Sequence, residues 1–342
     1  MERGRIGRRD FVKGVFATAV GVSAPSLARA SAPMIRYATG GGIGPNGIDT
    51  LFFTDFMRQR VLKGYGKSYT LSVVYTRGTP EAASLLAAGQ ADLASQACTS
   101  FATALSRGIV TGGLTAIADV HDVRAGYSKL PFYVLQASQI RSVEDLRGKT
   151  LAVNAYGTIT DLVARSVLKR SGLDPKKDLR IVEISFPSIG PALREGRIDA
   201  GVLPVPFGPI EDAKGNIREL FNATDAFGTF SSIFQVARTR FLEESPDAVR
   251  AWLDDYVVGL HWLYDPANRR DAVALAAEVS KSTPEILEGF FLTEKDYYRN
   301  PNGCLNAGLL QPPIDAMFQE GLLAKRVDVS PHVDMKYLPK PC

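Results

Sequence analysis

Between residues 34 and 203 the chain repeats one rhythm, a short apolar run of strand length followed by a stretch with helical spacing, and this alternation leaves few folds open. Residues 34–39 form the first apolar run, and 50–62 carry Leu51, Phe52 and Phe56 at amphipathic helical spacing. Residues 70–75 alternate as a strand and meet a helix start, with Thr79 as the N-cap, Pro80 in the first helical position and Glu81 in the first turn. Further strands are predicted at 91–94 and 113–119, with a helix over 101–107 between them. A second block follows, with strands over 131–136, 150–155, 180–184 and 198–203 and helices over 161–170 and 190–195. Strand–helix alternation argues for mostly parallel sheets with right-handed crossovers, and two such blocks in tandem argue for two α/β lobes. The last third is helical: Ser245-Pro246-Asp247 opens a helix whose Val249, Trp252, Leu253, Tyr256, Val257, Leu260 and Leu263 make one wide apolar stripe.

The amino terminus carries Arg3, Arg5, Arg8, Arg9 and Lys13, and Arg8-Arg9-Asp10-Phe11-Val12-Lys13 resembles the twin-arginine export motif. Residues 14–24 are apolar but well short of the ~20 residues of a membrane-spanning helix. Ala28-Arg29-Ala30 offers a small-x-small cleavage pattern. Residues 1–30 are therefore expected to be a removable signal, with the remaining protein periplasmic.

The charge balance follows from that assignment. The whole chain has 40 basic and 36 acidic side chains, a formal charge of +4. Residues 1–30 hold six of the former and two of the latter, which leaves 34 of each. Nucleic-acid binding requires a basic footprint, and none remains. His121, His261 and His332 are scattered and in no metal-binding pair, and no cofactor or metal is expected. Cys98, Cys304 and Cys342 leave one thiol over if two pair; the expected bond joins Cys304 to Cys342, from a turn-like Pro301-Asn302-Gly303 context to the chain end.

Residues 142–153, Ser-Val-Glu-Asp-Leu-Arg-Gly-Lys-Thr-Leu-Ala-Val, are similar to the "DL-x-GK-x-hydrophobic-V" segment of the nitrate/taurine/sulfonate (NitT/TauT) class of ABC-importer binding proteins. The similarity continues through Gly172-Leu173-Asp174-Pro175 and residues 192–200, and residues 85–94 resemble the family's "L-x-x-GQ-x-DLA" segment. The resemblance spans roughly residues 35–207. It implies a type II periplasmic binding protein of two α/β lobes, with 31–134 and 234–342 in lobe I and 135–233 in lobe II. It further implies a monomer without enzymatic activity that passes a small solute to the permease of an ABC importer. Two departures bear on the ligand: Gly201-Val202-Leu203-Pro204 lacks the glutamate the family often places before the proline, and the loop Ala155-Tyr156-Gly157-Thr158 is bulky. A receptor for a tripartite (TRAP/TAXI-type) transporter is an alternative with the same capture mechanism. An enzyme resembling the thiamine-pyrimidine synthases is another, and would need a reactive histidine, for which His121 is the candidate by position.

In open parallel sheets ligands bind beyond the carboxyl ends of the strands, against helix amino termini that favour anions. The loops expected there bring Thr39, Gly40, Gly41 and Ile43 from the first strand end, Arg77 and Thr79 from the second, and Ser95 and Gln96 from the third. The second lobe adds Asn154, Tyr156, Gly157, Thr158, Thr160, Phe186 and Pro204. Gly40-Gly41-Gly42 reads either as a close backbone approach to a ligand or as a tight turn. Arg77 reads either as a bidentate clamp for a carboxylate or sulfonate or as a solvated surface arginine. The aromatic side chains favour an organic anion, including aromatic ones, over nitrate. No catalytic constellation emerges: there is no GxSxG elbow, and the glycines at 40–44 lack GxGxxG spacing and a Walker lysine.

Overall fold

A computed structural model describes residues 32–40 and 48–342. The export segment and the site candidates Gly41 and Ile43 lie outside the described residues. The chain builds β1 (Met34–Thr39), a 3-10 turn (Ile48–Phe53), α1 (Asp55–Arg60), β2 (Thr70–Tyr75), α2 (Thr79–Ala87), β3 (Leu93–Ala97), α3 (Cys98–Arg107) and β4 (Leu114–Val123). There follow β5 (Phe132–Leu135), β6 (Thr150–Val153), α4 (Ile159–Arg170), β7 (Arg180–Glu183), α5 (Phe186–Arg194), β8 (Ala200–Val202), α6 (Phe207–Ala213), β9 (Ile217–Phe221) and α7 (Ala223–Phe227). The chain ends with β10 (Phe230–Arg238), α8 (Thr239–Glu244), α9 (Pro246–Tyr264), α10 (Arg269–Ser280), α11 (Pro284–Glu288) and α12 (Ala307–Gln319).

Two five-stranded sheets result, in the orders β2-β1-β3-β10-β4 and β7-β6-β8-β5-β9. In the first, β1 runs parallel to β2 and β3, while β10 is antiparallel to β3 and β4. In the second, β6 runs parallel to β7 and β8, while β5 is antiparallel to β8 and β9. Each sheet therefore has four strands in one direction and a single reversed strand in its fourth place. The reversed strand is entered from the other sheet: β4 passes through residues 124–131 into β5, and β9 passes through residues 222–229 into β10. Phe132, at the start of β5, pairs with Val202 at the end of β8. Phe230, at the start of β10, pairs with Val123 at the end of β4. The carboxyl ends of the parallel strands in both sheets thus lie at the crossovers, which is where the chain puts any site it has.

The apolar stripe of α9 is buried as its spacing requires. Trp252 and Tyr256 pack against Phe52, and the indole Nε1 donates to Gln235 Oε1 at 2.8 Å. Local details depart from the sequence reading. The N-cap of α2 is Gly78, with Thr79 already inside the helix. No loop separates β3 from α3; the strand runs to Ala97 and the helix begins at Cys98. Cys98 is consequently a buried helix residue rather than a loop thiol, and burial pushes its thiol up to about 12. β10 falls in the stretch from which no strand was expected.

Cys304 and Cys342 are joined in a disulfide with Cα atoms 5.6 Å apart, within the range that a disulfide spans. The bond links residues 38 apart in sequence. Cys342→Ser is expected to lower the unfolding free energy by ~2–4 kcal/mol in denaturant titration, and reductant is expected to have no further effect on that variant.

Candidate functional site

At the carboxyl edge of the first sheet the backbone packs tightly on itself. Gly40 N donates to Ser95 Oγ at 2.7 Å. A Cβ on Gly40 would lie 2.3 Å from the Ser95 carbonyl oxygen and 2.6 Å from Thr79 Cγ2. This glycine is needed for contact with the protein's own chain, and Thr39, Thr79 and Ser95 are buried around it. Tyr37 Oη donates to Asp49 Oδ2 at 3.1 Å, and burial raises the Asp49 carboxyl above the usual carboxylate range. Gln96 has no exposed surface; its Oε1 accepts from Ser100 Oγ at 2.8 Å. Gln96 Nε2 and Thr99 Oγ1 are buried and have no hydrogen-bond partner among the described residues. Buried donors without partners cost ~1–3 kcal/mol each. Their place at a strand end marks where an acceptor from outside would be welcome.

The second sheet contributes a polar knot at the start of α4. The hydroxyls of Thr158 and Thr160 both donate to Asn154 Oδ1, the former at 3.0 Å. With its oxygen engaged, Asn154 keeps its amide N–H groups without a partner among the described residues. Gly157 N donates to Asp161 Oδ2 at 2.9 Å, and Asp161 is paired with Arg165 at 2.8 Å. That carboxylate is thereby turned toward its own helix. Tyr156 is half-exposed, anchored by its N–H on Glu183 Oε1 at 2.6 Å and by its Oη on the Ile181 carbonyl at 2.9 Å. Phe186 and Phe207 stack on one another at 5.9 Å, and Pro204 is buried at the end of β8.

The two edges meet in a groove of about 390 Å³ in which Thr99 and Ser100 of α3 face Tyr156, Gly157 and Thr158. Helices α2, α3, α4, α5 and α6 each follow a strand whose carboxyl end lies at this edge, so their amino termini and free N–H groups share it. Arg77 is not part of the groove. Its side chain is 95% exposed and its Nε lies 3.3 Å from Glu81 Oε2, one helical turn away. A larger groove of about 780 Å³ lies beside residues 124–131, between Tyr133, Val205 and Ile210 on one side and Phe290 on the other. It is rimmed by Lys129, Lys295, Glu219 and Glu294, a mixture of signs that selects no ligand charge.

His121 is buried and stacked on Tyr297 at 4.2 Å, and burial holds its imidazole well below the usual histidine range. Among the described residues no three His, Cys, Asp or Glu side chains come together as a metal site, and no helix is long and apolar enough to cross a membrane.

Residues 61–268 match the family described as NMT1/THI5 like. No curated protein matches the sequence. The fold matches the periplasmic aliphatic sulphonate binding protein SsuA of Escherichia coli with a TM-score of 0.68 at 18% identity, covering 90% of this chain and 92% of that one. It matches the alkanesulfonate-binding protein SsuA of Xanthomonas axonopodis pv. citri, bound to MOPS, with a TM-score of 0.70 at 21% identity, covering 90% and 99%. It also matches the periplasmic nitrate-binding protein NrtA of Synechocystis PCC 6803 with a TM-score of 0.64 at 11% identity, covering 87% and 84%. The two-sheet architecture is that of the periplasmic binding proteins.

Proposed function

We propose that this chain, which belongs to the NMT1/THI5-like family, is an exported solute-binding protein that holds a small organic anion between its two sheets and hands it to a membrane importer. The observation that carries the reading is the composition of the groove where the strand ends meet. It collects helix amino termini and the unpartnered Thr99 hydroxyl, and among the described residues no aspartate or glutamate lines it. Such a surface is electrostatically suited to a carboxylate or sulfonate and gives a cation nothing to bind. Thr39, Gly40, Thr79, Ser95 and Gln96 on one side, with Asn154, Tyr156, Gly157, Thr158, Thr160, Phe186 and Pro204 on the other, are the residues we assign to the cleft. The apolar faces of Tyr156 and the Phe186–Phe207 stack support an organic body rather than a bare inorganic ion. No reaction is assigned to the site, because His121 is locked in a stack and makes no approach to the groove lining. Closure would come from the two crossovers at residues 124–131 and 222–229, the geometry of a hinge.

The test is calorimetric titration of the protein with alkanesulfonates, aromatic carboxylates, and neutral and cationic compounds of matched size. Anions are expected to bind and the others not. Asn154→Ala, which removes a donor from the polar knot, should weaken the best anion roughly ten- to a hundredfold, the value of one charge-assisted hydrogen bond. A neutral or cationic compound that binds best overturns the anion assignment.

A further inference from the structure

The groove does not stop at the strand ends. It continues along α3, whose Thr99, Thr103 and Arg107 recur every four residues and share one face of the helix. At a rise of ~1.5 Å per residue, Thr99 and Arg107 are about 12 Å apart. The opposite wall is apolar: Leu162 of α4, Met317 of α12 and Leu322 just beyond it. Among the described residues Arg107 is the one charged side chain that lines it. It is exposed, and among the described residues it makes no hydrogen bond and no ion pair. At the inner end the buried hydroxyl of Thr99 lacks a partner. The groove therefore has an unused donor at its inner end, an unused guanidinium at its outer end, and hydrocarbon between them. Its volume of about 390 Å³ is in the range of small-molecule sites.

We propose that the ligand is an elongated dianion, with one anionic group at the strand ends, an apolar body along α3, and a second carboxylate or sulfonate on Arg107. This rests on the solute-binding reading above and narrows its ligand class. A short monoanion would fill only the inner end and leave Arg107 unused. A dianion with a spacer of matching length engages both ends without ordering any further part of the protein.

A homologous series of α,ω-dicarboxylates, succinate through dodecanedioate, is titrated calorimetrically beside monocarboxylates of the same chain length. Dianion affinity is expected to peak at one length and there to exceed the matched monoanion by roughly tenfold or more, one charge-assisted contact. Arg107→Gln should abolish that excess, bringing dianion affinity down to that of the matched monoanion, with an unaltered melting curve because the side chain is exposed. Equal binding of dianions and monoanions at every length, or a dianion preference that survives Arg107→Gln, overturns the dianion assignment and spares the solute-binding reading. Failure of every anion to bind while neutral or cationic compounds do overturns both.

Discussion

Asp296→Ala is expected to cost ~3–5 kcal/mol of unfolding free energy, a large share of what a domain has to lose. Asp296 and Arg299 are each about 1% exposed and paired at 2.8 Å. The carboxylate also accepts Leu292 N at 3.0 Å and Tyr297 N at 2.7 Å, so it fixes the turn that carries Tyr297 onto His121. Without it the buried guanidinium loses its hydrogen-bonded carboxylate, beside a His121 whose imidazole burial holds well below the usual histidine range. The cost comes from the charge left behind, so removing both charges should restore much of it. Asp296→Leu combined with Arg299→Met is expected to be more stable in urea titration than Asp296→Ala alone. A double variant less stable than the single one would show that the pair earns its place by attraction.

The second large effect is at Asp255 on α9. Its Oδ1 accepts Lys63 N at 2.7 Å, and its Oδ2 accepts Gly64 N at 2.9 Å, Tyr65 N at 3.1 Å and the Tyr69 hydroxyl at 2.8 Å. One buried carboxylate thus satisfies the backbone turn that leads into β2. Asp255→Ala orphans four donors, the Tyr69 hydroxyl buried and the three backbone N–H groups part-buried, and with ~1–3 kcal/mol for a fully buried unsatisfied group and less for those that water can reach, the expected loss is about 3 kcal/mol. Asp255→Asn is the sharper test. An amide has one acceptor oxygen, so whichever way it turns its NH₂ meets at least one backbone N–H head-on. Asn should therefore be nearly as damaging as Ala, although it conserves shape. If Asn retains wild-type stability in denaturant titration, the carboxylate is not holding the turn.

How far the sequence disclosed these things depends on the range of the interactions. The strands β1 to β8 were legible because apolar runs, caps and glycine stops lie within a few residues of each other. β10 was not. Its sequence, Phe-Ser-Ser-Ile-Phe-Gln-Val-Ala-Arg, is buried almost throughout between β3 and β4, so it shows no in–out alternation to read. At the site, the Thr158, Thr160 and Asn154 cluster was visible because its members lie within six residues of each other. Arg77 occupies a strand-end loop, and Glu81 four residues on gives it an acidic partner from its own helix. The groove along α3 that Thr99 and Arg107 line was not legible. Their spacing on α3 was in the sequence, but the apolar wall that makes them a groove comes from Leu162, Met317 and Leu322, far along the chain.

The interleaved strand order also sets a timetable for biosynthesis. All strands of the β5–β9 sheet come from one unbroken stretch, residues 132–221, so a nascent chain can complete that sheet as it emerges. The other sheet cannot close, because its fourth strand is made last. When β4 ends at Val123, β3 and β4 have no shared partner until β10 ends at Arg238, roughly 115 residues later. At translation rates of about 5–20 residues per second that interval is on the order of ten seconds. Throughout it two apolar strands present open edges to any neighbouring polypeptide, the setting in which mispairing and aggregation begin. The half-made protein is thus most vulnerable in its first lobe, and a chaperone that guards it would have its work there.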